Sequence, residues 1–229
     1  MCKVFNCKNL PIFLLIFVTA IGITVTSLIF KQSFLRILPL YISLLVLFLQ
    51  SGVNRFAPLI GGINSVIYAV VYFYYGLYAT ALFSLLFSAP LQIITFIRWS
   101  HHRVGNTTEL RKLSTKQRLT IISIFVLIWA LVCYILTRIS SDYALLDTSV
   151  SLLGILTTFL MLFGYIEYTV LQVVSGVVTI ALYINMIVNG VSEQVPYLVF
   201  AIYSLICVCI SVKTARKLLK HQENSKTQG

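Results

Sequence analysis

Acidic residues are almost missing from this chain. Six Asp and Glu stand among 229 residues, against seventeen Lys and Arg, and charged residues make up 10% of the total. A soluble domain carries about 25%, so a fold with an ordinary polar shell is excluded. Histidine occurs three times. The cysteines, Cys2, Cys7, Cys133, Cys207 and Cys209, fall at no zinc-ligand or redox spacing. They are expected as membrane-buried thiols, with two near the N-terminus. There is no phosphate-cradling Gly-rich loop with Lys and Ser/Thr, which argues against ATP hydrolysis. Neither an HExxH nor a Ser-His-Asp set appears. No catalytic residue, metal or cofactor is expected.

What the chain does have is long stretches without charge. No Asp, Glu, Lys or Arg lies between Lys8 and Lys31, Arg36 and Arg55, Arg55 and Arg98, Arg118 and Arg138, Asp147 and Glu167, Glu167 and Glu193, or Glu193 and Lys213. A helix crossing the hydrocarbon core needs roughly 20 apolar residues. The block from Arg55 to Arg98 holds two such lengths, with Gly76-Leu77-Tyr78 near its middle. The pattern predicts an all-α integral membrane protein of eight transmembrane helices, near 10–30, 37–54, 59–77, 79–97, 119–137, 145–164, 167–188 and 194–212. The first block is too long for a signal-peptide core and lacks a convincing cleavage site, so it is expected to be retained.

The basic residues alternate by side. With an inside N-terminus, the cytoplasmic segments hold Lys3, Lys8, Arg55, Arg98, Arg103, Arg111, Lys112, Lys116, Arg118, Lys213, Arg216, Lys217, Lys220 and Lys226. The outer side holds Lys31, Arg36 and Arg138. That asymmetry follows the positive-inside rule. It predicts that both termini, the basic loop 98–118 and the basic tail 213–229 are cytoplasmic. The net charge of +11 therefore reflects topology, and no nucleic-acid partner is expected. His101 and His102 in the loop lack a third ligand and read as solvated. The Asn106-Thr107-Thr108 sequon lies on the wrong side to be used.

Helices 2–4 and 6–8 form two triplets of the same orientation. This suggests a parallel three-helix repeat, of the kind transporters build around an axis along the membrane normal. The expected units are an extra N-terminal helix in 1–36, a first repeat at 37–97, the loop 98–118, a linker helix at 119–138, a second repeat at 139–212 and the tail 213–229.

Polar side chains are costly in lipid, so their facing is informative. Asn64, Tyr68, Tyr72 and Tyr75 recur at helical steps, as do Ser84, Ser88, Gln92, Thr95 and Trp99, and also Thr169, Gln172, Gly176, Thr179 and Tyr183. Each set shares one helix face. Ser84, Ser88, Gly176 and Thr179 suit helix–helix packing, and Tyr75 and Tyr78 suit the interface. Asn64, Gln92 and Gln172 offer more donors and acceptors than packing needs and are expected to face one central cavity. No Asp, Glu, Lys or Arg is placed deep in a span. These residues suit a neutral or weakly charged solute with a flat ring and hydroxyls.

Residues 61–99, GGINSVIYAVVYFYYGLYATALFSLLFSAPLQIITFIRW, resemble the PnuC family of vitamin transporters. The likeness rests on Gly61 to Asn64, the Gly76-to-Tyr78 break, and Pro90 with Gln92 through Trp99. Residues 167–184 are similar to the family's penultimate helix, and the whole resemblance spans about 37–212. It implies three helices, a linker helix and three helices, as in SWEET transporters. It also implies uptake of nicotinamide riboside, or of thiamine, riboflavin or a deoxynucleoside in relatives. Transport is implied to be facilitated diffusion across the plasma membrane, with a cytoplasmic kinase trapping the product. A homo-oligomer is left open. The implied substrate-binding residues are Asn64, Tyr68, Gln92, Phe96, Thr169, Gln172, Gly176 and Tyr183. The family's Trp-x-x-Trp pair falls on Thr169 and Gln172 here, which moves any aromatic clamp to Tyr68, Tyr72, Phe96 or Tyr203. Two other classes compete. A lipid-modifying membrane enzyme would need a better set than His101, His102 and Glu109, and a non-catalytic scaffold or receptor subunit would move no solute.

Overall fold

The computed structural model of the chain describes residues 10–74, 84–101, 103–104, 107–138 and 144–227. Cys2, Cys7, Tyr75, the 76–78 break, His102 and Asn106 lie outside the described residues, as do the side chains of Tyr72 and Asp147. Eight α-helices are described: α1 (Leu10–Ile29), α2 (Phe34–Ser51), α3 (Phe56–Tyr74), α4 (Ala89–His101), α5 (Thr115–Arg138), α6 (Ala144–Leu162), α7 (Glu167–Val188) and α8 (Val195–Thr227). They fall on the eight charge-free lengths.

Four of these helices, α2, α5, α7 and α8, are long and apolar enough to cross a bilayer. Helices α1, α3 and α6 carry shorter apolar runs, at Leu14–Ile29, Phe56–Val71 and Thr148–Leu162. A π turn, Ser84–Ser88, leads into α4. Pro90 lies just past the switch and has no N–H to donate to the preceding turn, a local reason for the change of winding. Helix α5 shows how these surfaces meet lipid. Leu119, Ile122, Leu127 and Leu131 are all more than half exposed along it, which in water would be an aggregation hazard and in hydrocarbon costs nothing.

Helices α2, α3, α4, α6, α7 and α8 pack each against the next, and α8 returns to α2, closing a six-membered ring. Helix α5 packs on α6, and α1 packs on α8 and α2. Bonds to backbone carbonyls hold the ring seams. Tyr203 on α8 donates to Leu44 O on α2 at 3.0 Å, and Ser211 donates to Gln50 O at 3.2 Å. Trp99 on α4 is buried and donates its indole N–H to Met161 O on α6 at 2.9 Å. In the bilayer such polar atoms have no water to fall back on.

The basic loop and the basic tail meet at one end of the ring. Residues 103–104 and 107–108 form a two-residue antiparallel β pair, a small exception to the all-helical expectation. Helix α8 runs on past residue 212 as far as Thr227. There Gln222 accepts from Leu110 N at 2.9 Å and donates to Thr108 O at 3.1 Å. Lys112 pairs with Glu223 at 2.8 Å. The turn between α6 and α7 docks on the same loop, through Arg111 N to Gly164 O and Ile166 N to Arg111 O, both 2.9 Å. Gly164 has φ +73, and a Cβ there would lie 2.8 Å from Glu109 O. Only glycine satisfies both conditions.

Candidate functional site

Two adjoining cavities lie within the ring. One, of about 220 Å³, is lined by Val46, Gln50, Ala57, Pro58, Gln92, Thr95, Thr157, Thr158, Met161 and Gln172. The other, of about 330 Å³, is lined by Leu47, Gly154, Thr157, Thr158, Gln172, Ser175, Gly176, Thr179, Tyr183, Phe200, Ala201, Ser204 and Val208. Thr157, Thr158 and Gln172 belong to both walls. The larger cavity reaches the low end of the volume range of small-molecule sites, and among the described residues no Asp, Glu, Lys, Arg or His lines either one.

The glutamines come together as expected and do different things there. Gln92 Nε2 donates to Ser65 Oγ at 3.0 Å and Ser88 Oγ at 3.2 Å. Its carboxamide lies over Gly61, where a Cβ would overlap Gln92 Oε1, so the glycine makes room for the amide. Gln172 Oε1 is buried and has no hydrogen-bond partner, and the same holds for Thr157 Oγ1. Unpaired polar atoms in a dry interior are costly and rare. Two of them, on residues shared by both cavities, form a polar waist whose hydrogen-bonding capacity is unfilled.

The other expected site residues divide. Gly176 and Tyr183 line the larger cavity. Asn64 faces α2 instead, donating to Pro39 O at 3.2 Å and Ser43 Oγ at 2.8 Å. Tyr68 is half-buried on α3 and belongs to neither lining. Phe96 stacks on Phe56 with ring centroids 5.8 Å apart. Thr169 is fully buried, donates to Ile166 O at 2.9 Å, and borders a different cleft, between α5 and α7. Of the alternative clamp residues, Tyr203 is committed to Leu44. Thr157, Thr158, Gln50 and Ser204 escaped the sequence reading. The signal for Thr157 and Thr158 was a hydroxyl pair in the middle of an otherwise apolar block.

Both ends of the cavity pair are covered. On the basic end, Met161 joins Val53, Trp99, Leu160 and Tyr168 in a buried cluster. On the opposite end, Tyr183 packs against Tyr197 at 6.0 Å, and the Arg36 guanidinium lies over the Tyr197 ring at 5.6 Å. Arg36 in turn meets Glu193 at 2.9 Å, while Gln32 donates to Glu193 O. This is a chamber of mixed polar and apolar walls with an apolar floor and an aromatic, ion-paired roof. The chemistry it offers is hydrogen bonding and ring contact. In the loop Glu109 pairs with Arg111 at 3.6 Å, and among the described residues no group of three or more His, Cys, Asp or Glu is placed to hold a metal.

Comparison with known proteins agrees with this architecture. A crystal structure of the vitamin B3 transporter PnuC superposes with a TM-score of 0.77 at 20% identity, covering 96% of this chain and 95% of that one. That identity supports the shared fold alone. No curated protein sequence matches the chain. Residues 33–215 match the family model described as nicotinamide mononucleotide transporter. The match runs from α2 through α7 and along α8 as far as residue 215, and it leaves α1 and residues 216–229 outside. This integral membrane protein therefore belongs to the nicotinamide mononucleotide transporter (PnuC) family, a family of transporters and not of enzymes.

Proposed function

We propose that the chain carries nicotinamide riboside, or a closely related nucleoside-like vitamin, across the plasma membrane by facilitated diffusion. The observation that carries this reading is the uncharged lining of the two cavities, with Gln172 Oε1 and Thr157 Oγ1 unpaired at their shared wall. Ribose hydroxyls are donors that would fill both acceptors once these two side chains turn to face the solute. A phosphate would enter the same space as an anion with no Lys or Arg to meet it, a costly arrangement away from water. The lining thus favours the riboside over the mononucleotide. The rings of Tyr183 and Phe200 suit a flat cationic pyridinium, which aromatic faces attract.

The ring of α2–α4 and α6–α8, with α5 as linker and α1 as an addition, supports a reading as two parallel three-helix repeats around the solute path. The basic end, with loop 98–118 and tail 213–229, is the cytoplasmic one by the positive-inside rule, and both termini lie there. Among the described residues no Asp, Glu, Lys, Arg or His lines the cavities, which supports uniport. Net accumulation then requires a cytoplasmic kinase to remove the product from the equilibrium.

Proteoliposomes test this directly. Labelled nicotinamide riboside should equilibrate across the membrane and show counterflow. Excess unlabelled riboside should compete, and the mononucleotide should not. Thiamine, riboflavin and a deoxynucleoside as competitors place the solute within the family's range. An imposed proton or sodium gradient should leave the end point unchanged, and uphill accumulation would overturn uniport. Absence of any riboside flux would overturn the substrate assignment.

A further inference from the structure

A third cleft, of about 560 Å³, lies outside the ring between α5, α6, α7 and α8 at the basic end. Its walls are Leu113, Ile121, Ile122, Leu156, Leu160, Ile166, Val170, Leu171 and Leu219, and its mouth holds Lys112, Arg118, Arg216 and Lys220 around Glu167. Two of these cations are engaged: Arg118 with Glu167 at 2.7 Å and Lys112 with Glu223 at 2.8 Å. Arg216 and Lys220 make no ion pair among the described residues. They stand one helical turn apart on α8 and are both exposed.

We propose that this cleft binds one anionic phospholipid from the leaflet at the basic end, its phosphate between Arg216 and Lys220 and an acyl chain between α5 and α7. Three features select that occupant. With Arg118 balanced by Glu167 and Lys112 by Glu223, Arg216 and Lys220 leave the mouth with two uncompensated positive charges, so it favours an anion. The walls below it are continuous with surfaces that face lipid, through Ile122 and Val170, 58% and 47% exposed. Basic pockets between membrane helices at the cytoplasmic surface suit acidic head groups. A soluble phosphate would use the mouth and leave the apolar walls empty.

Glu167 ties the cleft to the rest of the molecule. Its Oε1 accepts from Arg118 and, at 3.1 Å, from Leu113 N. It also opens α7, the helix that carries Gln172 to the central cavities. A lipid wedged between α5 and α7 would therefore brace the helix at the polar waist.

The test is lipid binding to the purified full chain in detergent. Native mass spectrometry and thermal unfolding are followed as phosphatidylglycerol, phosphatidylcholine or glycerol 3-phosphate is added. Wild type should bind phosphatidylglycerol in preference to phosphatidylcholine and unfold at higher temperature with it, and glycerol 3-phosphate should give no shift. The double variant Arg216→Gln/Lys220→Gln should weaken phosphatidylglycerol binding about thirtyfold, at roughly fivefold for each lost cation, and leave phosphatidylcholine binding unchanged. Val170→Trp, which fills the cleft with its charges intact, should weaken both lipids. Equal binding of the two lipids by wild type would overturn the proposal. So would a double variant that keeps its preference, or a glycerol 3-phosphate shift that matches the lipid's.

Discussion

Arg36 on α2 and Glu193, just before α8, meet at 2.9 Å over the end of the chamber away from the basic loop. The pair is well exposed on the glutamate side, with side-chain exposures of 29% and 63%. Such exposed pairs are worth about 0–1 kcal/mol. A bond that weak is suited to breaking in each transport cycle. It closes α2 on the start of α8. Replacing Glu193 by Gln is expected to leave the unfolding temperature near the wild-type value and to favour the state open at this end. The readout is the rate at which a water-soluble thiol reagent modifies Ser175→Cys in a background without native cysteines. The rate should rise with Glu193→Gln, and an unchanged rate would show that the roof is held by other contacts.

Gln172 and Thr157 should behave unlike ordinary buried polar residues. Their buried oxygens make no hydrogen bond to another part of the chain. Gln172→Leu and Thr157→Val should each hold or raise thermal stability, because an unmade hydrogen bond disappears. Both should raise KM for the transported solute, by about tenfold per lost bond of ~1.4 kcal/mol. Variants that unfold early with unaltered KM would place these residues among the packing contacts.

Asn64 is expected to show the reverse. Its amide joins α3 to α2 through Pro39 O and Ser43 Oγ. Asn64→Ala removes both bonds and should destabilise the chain by about 1–3 kcal/mol. Thermal unfolding reports that loss, and KM measured on the folded fraction should match wild type.

Gly61 offers a way to move Gln92 without touching it. A Cβ at residue 61 would occupy the place of Gln92 Oε1, and the long side chain can rotate away at little cost to the fold. Gln92→Leu is expected to weaken uptake, and Gly61→Ala should give the same defect with a smaller loss of stability. Uptake and unfolding measured on both variants decide this. Normal transport in Gly61→Ala would mean that Gln92 need not hold its present position.

The helices were easy to locate from sequence because charge is expelled from hydrocarbon, and Arg36, Arg55, Arg118, Glu167 and Glu193 mark their ends. Site membership was harder. Asn64 and Gln92 carry the same amide chemistry on similar stripes, but one partner is the Pro39 carbonyl, which no periodicity reports. Thr169 and Gln172 are less than one turn apart on α7, yet Thr169 borders the lipid-side cleft and Gln172 the chamber. A stripe fixes direction to within a wide arc, and neighbouring helices divide that arc. Thr157 and Thr158 lie on a helix with no amide to draw the eye, and only packing reveals what they line.

Helix α8 has 33 residues, about 50 Å at 1.5 Å per residue, against a hydrocarbon core of about 30 Å. Its far end is clasped by Gln222, whose Nε2 donates to Thr108 O of the β pair and whose Oε1 accepts from Leu110 N just beyond it. The helix is thus a lever whose handle stands in water. One arm bears Tyr197 and Tyr203, and the other bears Gln222. A tilt that parts Tyr197 from Tyr183 is therefore expected either to carry the loop with it or to break the Gln222 bonds.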